Sequence, residues 1–203
     1  MRLLAVSCLS LVCGIAFADE LIDIPTARKI ATEDFRYEFR AQPITKGDMQ
    51  HFLGIGLGKS FELDIREVQD YGMSPVTSFD FSYNFMAAFP GGEIPGISLG
   101  VQDGSNLTQD GRRFFAVTTF RNTMDEIAGS VYADITLGFQ VGSKTSPFVG
   151  VAVPFAPSVY LLAEDSGFRL NTGIEFRPSP RMSLRFIVRN QETLLSLSAS
   201  GRF

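Results

Sequence analysis

The strongest constraint on this chain is an alternation of period two. In "FRYEFRA", Phe35, Tyr37, Phe39 and Ala41 fall on one face and Arg36, Glu38 and Arg40 on the other. Phe61, Leu63 and Ile65 oppose Glu62, Asp64 and Arg66, and Phe79, Phe81, Tyr83 and Phe85 oppose Ser78, Asp80, Ser82 and Asn84. Near the end, Phe168, Leu170, Thr172, Ile174 and Phe176 oppose Arg169, Asn171, Gly173, Glu175 and Arg177. Met182, Leu184, Phe186 and Val188 likewise oppose Ser183, Arg185, Ile187 and Arg189. Successive side chains of a strand point to opposite faces, so this is the pattern of an antiparallel all-β chain. No segment repeats apolar residues with helical spacing.

Two architectures use such strands. A β-sandwich buries the apolar face and wets the other. A transmembrane β-barrel turns the apolar face to lipid and the polar face to its lumen. The alternating segments run about 9 to 11 residues, the length of a tilted membrane strand, where ordinary strands have about 5 or 6. Their polar faces are charged on strand after strand, which a lumen tolerates. The expectation is therefore an antiparallel up-and-down transmembrane β-barrel, with a soluble secreted sandwich as the alternative. Strands are expected near 34–41, 50–58, 60–68, 77–86, 96–103, 112–120, 128–139, 147–154, 157–164, 167–177, 181–189 and 192–203. That makes about twelve, an even number as single-chain bacterial barrels have; merged or split segments make ten or fourteen. Turns at Gly58-Lys59-Ser60, Phe155-Ala156 and Pro178-Ser179-Pro180 are short, as periplasmic turns are. The stretches 42–49, 69–76 and 104–111 read as outer loops. "AAFPGGEIPG" is long for a periplasmic turn, and "EDSG" and "NQE" are short for outer loops.

The start of the chain reads as an export signal. Arg2 supplies a basic n-region, Leu3 to Phe17 are largely apolar, and Ala16-Phe17-Ala18 is a cleavage site of small residues. The apolar stretch is too short for a membrane anchor. Residues 1–18 are thus expected to be removed, which takes away Arg2 and moves the net charge from −4 to −5. Both cysteines, Cys8 and Cys13, go with them, so a disulfide framework is excluded. A lipoprotein signal fits poorly, with Val12 before Cys13 and Ala5 three positions before Cys8. The expected organisation is a signal peptide at 1–18, a lead-in at 19–33 and a barrel at 34–203.

The last strand ends on an aromatic residue. Phe203 is in phase with Gly201, Ala199, Leu197 and Leu195. This ending resembles the C-terminal signal by which the barrel-assembly machinery recognises bacterial outer-membrane barrels. Closure pairs the last strand with the first, so the terminal residue need not fray.

The expected lumen is charged. Arg36, Arg40, Arg169, Arg177, Arg185, Arg189 and Arg202 lie on the first strand and the last three, which closure makes neighbours. Glu62, Asp64, Asp80 and Asp134 lie across the wall. One reading is a basic side facing an acidic side, a transverse field that orients a polar solute. The plainer reading is an interior filled by salt bridges between these groups.

Little points to catalysis. The single His51 has no Ser or Asp partner by spacing. Asp103, Ser105, Asn106 and Asp110 offer oxygens but lack the spacing and bidentate Glu of a calcium loop, and such residues commonly form turns. "GIGLG" at 54–58 is followed by no helix, so it reads as small lumen residues and not as a phosphate loop. No cofactor, metal or nucleic-acid partner is expected.

One segment does not alternate. "LIDIPTAR", comprising Leu21, Ile22, Asp23, Ile24, Pro25, Thr26, Ala27 and Arg28, precedes the first strand. It resembles the opening of the YjbH-like family of outer-membrane proteins, which starts with a "GLI-x-x-PTAR" stretch. "PGISLGVQDGSNLTQDGRRFFAVTTF", "DITLGFQVG" and "PFVGVAVPFAPSVYLLAEDSG" look like later hairpins of that family. Family members are often longer, and many carry a lipoprotein signal. The resemblance implies a non-enzymatic outer-membrane barrel that assists export or assembly of surface exopolysaccharide in biofilm formation, with polysaccharide or secretion components as partners. The alternatives are a small passive channel for polar solutes and a barrel enzyme acting on lipid or peptide. The segment itself reads as an extended lead-in sitting in or under the barrel mouth, or as a disordered tail.

Overall fold

A computed structural model describes residues 20–42, 48–69, 74–88, 94–125 and 131–203. It contains twelve strands: β1 Asp34–Ala41, β2 Met49–Leu57, β3 Phe61–Gln69, β4 Val76–Met86, β5 Gly96–Gln102, β6 Arg113–Asp125, β7 Val131–Val141, β8 Thr145–Ala156, β9 Val159–Asp165, β10 Leu170–Ser179, β11 Met182–Arg189 and β12 Glu192–Arg202. Each pairs antiparallel with its neighbours in sequence, and β12 returns to β1, so the sheet closes into an up-and-down barrel. The closing register runs from Asp34 opposite Arg202 to Ala41 opposite Leu195. The single closed sheet excludes the sandwich.

Local chemistry sets the strand ends. Strand β10 begins at Leu170, later than the expected 167, because Gly167 takes φ +76° and Ser166 N–H donates to the Arg169 carbonyl at 3.0 Å. The β11–β12 connection is very short because Asn190 and Gln191 both have positive φ, 48° and 71°. That backbone is a two-residue primed turn, whose twist matches the flanking strands. The expected signal peptide, residues 1–18, lies outside the described residues, as do parts of the 42–49, 69–76 and "AAFPGGEIPG" connections.

Burial is inverted relative to a water-soluble fold. Arg185 is 1 % exposed, while its neighbour Phe186 is 48 % exposed. Glu38 and Glu62 are fully buried, and Phe61, Phe79, Leu137, Phe176 and Leu197 are exposed. Charged groups are rarely fully buried unless paired, and contiguous apolar surface marks a surface that contacts something other than water. The polar faces thus turn inward and the apolar faces outward around the wall.

The core sits in the lumen. Leu21, Ile22, Ile24 and Ala27 pack there against Phe115, Val117, Phe148, Ala152, Leu162, Ile187 and Leu194 of the wall. The rim where β1 begins and β12 ends is called here the terminal end. The rim carrying the β5–β6 and β11–β12 connections is the far end.

Candidate functional site

The lumen is occupied by the chain's own lead-in segment. Residues 20–33 run inside the barrel and reach the terminal end, where β1 starts. Of the two readings weighed from sequence, the lead-in seated in the barrel agrees with the structure and the disordered tail is corrected: Ile22, Ala27 and Ile30 are completely buried. The physical reason is a wall prepared to receive them.

Most of this segment makes no strand ladder, so wall side chains satisfy its backbone. Glu164 on β9 accepts N–H bonds from Ile22 and Asp23, both at 2.9 Å, and from Ile24 at 3.3 Å. Asn171 Nδ2 steadies the same carboxylate at 2.8 Å. Arg185 donates to the Leu21 carbonyl at 3.1 Å. Thr119 accepts from Ala27 N–H at 2.9 Å and Glu62 from Ile30 N–H at 3.2 Å. Glu20 and Pro25 pair across a turn closed by Leu21 N–H and the Ile24 carbonyl at 3.0 Å, and Thr26 Oγ1 accepts from Arg28 N–H at 3.3 Å. At the terminal end, Lys29 and Thr32 both donate to the carbonyl of Gly58.

Glycines make the room. A Cβ on Gly56 would meet the backbone carbonyl of Ile30 at 2.7 Å, and one on Gly96 that of Ala27 at 2.6 Å. A Cβ on Gly150 would meet Leu21 Cδ2 at 2.5 Å, and one on Gly54 would meet Ile30 Cδ1 at 2.6 Å. "GIGLG" is therefore a strand whose lumen face is kept bare for the segment, in agreement with its reading as small lumen residues.

Most inward charges form ion pairs, while Glu62 and Glu164 accept backbone amides of the segment. Arg40 meets Glu38 at 2.6 Å, Asp23 at 3.2 Å and Glu20 at 3.5 Å. Arg66 meets Glu20 at 2.7 Å and Asp80 at 2.5 Å. Arg36 reaches Asp64 at 3.4 Å over Gly54, which lies between them on β2. Asp134 holds Arg28 and Arg121, both at 2.9 Å. Arg185 meets Glu175 at 3.2 Å and Glu38 at 3.7 Å, Arg177 meets Glu175 at 2.6 Å, and Arg189 meets Asp23 at 3.6 Å.

Two arginines expected in the lumen lie at its rims. Arg202 pairs with Glu33 at 2.9 Å with both side chains well exposed, and Arg169 pairs with Asp110 at 3.7 Å in solvent. Alternation assigns a face but not a height, and at a strand end the inner face opens to water. Of the two readings of the lumen, the interior filled by salt bridges agrees with these pairs, and the transverse field is corrected. Glu38 and Glu175 lie on β1 and β10 within the basic side, and Arg66 and Arg121 stand beside the acidic groups. Opposite charges are interleaved because each buried charge needs a near partner. Sequence reasoning singled out neither Glu164 nor the segment's Glu20; a buried carboxylate facing a segment with no ladder of its own was the available signal.

A cavity of about 300 Å³ remains at the terminal end, on the β7–β12 side of the lumen. Arg36, Arg177, Arg181, Arg185 and Glu175 line it, together with serine hydroxyls and two tyrosines. The Arg177 guanidinium stacks 3.8 Å over the centre of the Tyr160 ring.

Other candidates make local contacts. His51 shares the outer face with Phe39, its Nδ1 2.6 Å from the Tyr37 hydroxyl and its ring 5.1 Å from that of Phe39. Asp103 accepts from Ser78 Oγ at 2.7 Å, Thr108 N–H at 2.8 Å and Leu107 N–H at 3.0 Å, and Asn106 Oδ1 accepts from Arg112 N–H at 2.8 Å. These oxygens therefore organise the loop, as turn formers do. Leu195 and Leu197 of the expected assembly signal point outward from β12. Phe203 stacks on Phe35 with ring centres 6.0 Å apart, and its N–H donates to the Glu33 carbonyl at 3.1 Å.

Fold and site together define a closed twelve-stranded antiparallel β-barrel, apolar outside, with an internal N-terminal segment. No protein-family model matches the chain, and no curated protein matches it.

Proposed function

We propose that this chain is a non-enzymatic barrel of the bacterial outer membrane, closed by its own N-terminal segment, which assists export or assembly of surface exopolysaccharide. The observation that carries the membrane reading is the inversion of faces: buried Glu38, Glu62 and Arg185 inside, exposed Phe79, Phe176 and Phe186 outside. In water that apolar belt would drive aggregation; in a bilayer it is the lipid contact. The terminal end, with the short turns and both ends of the barrel sheet, then faces the periplasm. The exopolysaccharide role follows from the YjbH-like likeness of "LIDIPTAR" and the later hairpins. The buried packing of that segment supports a plug or docking element more than a passive channel, since it occupies the path that a solute would take. The outward position of His51 beside Tyr37 speaks for the non-enzymatic reading.

The test is made in cells. The protein should be in the outer-membrane fraction, and removing it should lower surface polysaccharide, with recovery when the full chain is supplied. Unchanged polysaccharide, with the protein correctly fractionated in the parent strain, would contradict the accessory role.

A further inference from the structure

We propose that the lumen wall binds a monovalent cation of sodium's size between Glu62, Ser82 and Asn84. The site is separate from the polysaccharide reading and does not depend on it. Glu62 stands on β3 directly opposite Ser82 on β4, and Asn84 follows Ser82 two residues on. Period two turns all three inward. Directly opposite residues have Cβ atoms about 5 Å apart and diagonal neighbours about 7–8 Å, so the long Glu62 side chain reaches both. The group lies near the terminal end, since β3 begins at Phe61 and β4 ends at Met86.

Unmet bonding marks this group. Glu62, Ser82 and Asn84 are 0 %, 4 % and 4 % exposed. Glu62 Oε1, Ser82 Oγ and both polar atoms of the Asn84 amide are sealed from solvent and make no hydrogen bond. Buried polar atoms are costly without a partner, and several at one place point to a bound species. Either setting of the Asn84 amide presents an oxygen. The three side chains are neighbours yet do not bond one another, so their oxygens stand wider than a hydrogen bond. Oxygens gathered around one cation keep that wider spacing.

Charge selects the ion. Glu62 forms no ion pair among the described residues: Arg36 is on Asp64 at 3.4 Å, and Lys29 donates to the Gly58 carbonyl. A buried charge needs a partner, and one carboxylate among neutral oxygens balances one positive charge. A divalent ion would leave a net charge buried. Carboxylate, hydroxyl and amide oxygens suit a hard cation. Among the described residues no group of three or more His, Cys, Asp or Glu side chains is gathered for a metal ion, so the donors are mixed oxygens around a single carboxylate. Glu62 Oε2 accepts the Ile30 N–H at 3.2 Å. A cation on Oε1 therefore fixes the carboxylate that holds the lower part of the plug.

The experiment is hydrogen exchange at the Ile30 amide of the mature chain, folded in detergent and titrated with sodium chloride against choline chloride of equal ionic strength. Exchange should slow with sodium and saturate, by about tenfold when sodium is about ten times its dissociation constant. Glu62→Gln keeps an acceptor for Ile30 but loses the charge, and should abolish the response. Ser82→Ala removes a bare hydroxyl, so it should fold as the wild type does and bind sodium about tenfold more weakly. Ser183→Ala, elsewhere on the wall, should respond as the wild type does. Equal slowing in choline chloride would make this an ionic-strength effect, and a full response from Glu62→Gln would place the sodium elsewhere; either overturns the proposal. So would exchange that ignores sodium, that slows with calcium chloride alone, or that follows pH alone, the last because Glu62 would then be a neutral acid.

Discussion

Glu164 and Ile22 lie 142 positions apart, and the carboxylate of one holds the backbone amide of the other at 2.9 Å. The same carboxylate takes the amides of Asp23 and Ile24. One wall side chain thus supplies the hydrogen bonds that a strand ladder would otherwise give. Glu164→Ala should leave those amides buried without acceptors, at a cost of about 3 kcal/mol. The closed wall keeps its own ladder, so the loss should be local. Hydrogen exchange in detergent should accelerate at residues 22–24 and stay slow in β6 to β8. Uniform acceleration would contradict the division between wall and plug.

The lumen glycines should differ in what they tolerate. At Gly150 an added methyl meets the movable end of Leu21, whereas at Gly56 it meets backbone carbonyls of Ile30 and Ala31. Gly150→Ala should therefore be mild, and Gly56→Val should expel the lower segment. Limited proteolysis between residues 28 and 33 checks this: only the Gly56 variant should become sensitive.

Arg40 is fully enclosed and bonded to Glu38, Asp23 and Glu20. Arg40→Met should destabilise by about 3 kcal/mol, because Glu38 is left buried with only the more distant Arg185, at 3.7 Å, as a cation partner. Replacing both, as Arg40→Met with Glu38→Leu, should recover most of that loss. Glu20 keeps Arg66 and Gln102, and Asp23 keeps Arg189 and Asn171. Denaturant unfolding in detergent measures the cycle.

The far-end loop should respond to acid. Burial pushes the Asp103 carboxyl up, but hydrogen bonds from Ser78, Thr108 and Leu107 outweigh it and hold its pKa at about 2. A depressed carboxyl stabilises the fold above its unfolded value, about 3.9, and that contribution is lost as pH falls towards about 2. Amide exchange at Leu107 and Thr108 should rise in that window. Asp103→Asn should abolish the pH step.

Phe203 contributes a ring stack on Phe35 and one backbone bond to Glu33. Deleting it should cost only about 1 kcal/mol in detergent. Its effect on insertion in cells should be much larger if it is the residue read during assembly. Comparing the heat-modifiable band of refolded protein with outer-membrane yield separates the two roles.

Most of the wall was legible because period two reports directly on which face a side chain takes. Phe61 and Glu62, or Arg185 and Phe186, declare opposite sides without any tertiary knowledge. Height along the barrel was not legible, and so Arg169 and Arg202 were expected deeper than they lie. The path of residues 20–33 was not legible either. Without periodicity, "LIDIPTAR" is equally an exposed tail or a buried thread. What decides is its partners, and Glu164, Thr119 and Glu62 are distant in sequence. Gly54 and Gly56 were recognised as small lumen residues, but only the folded chain shows that Ile30 and Ala31 need the space.

The central claim is that the chain forms a membrane barrel closed by its own N-terminal segment. Planar-bilayer recording tests it most directly, comparing the mature chain with a variant lacking residues 20–31. The mature chain should insert without steady conductance steps, and the shortened chain should show them. Stable steps of equal size from both would contradict the account.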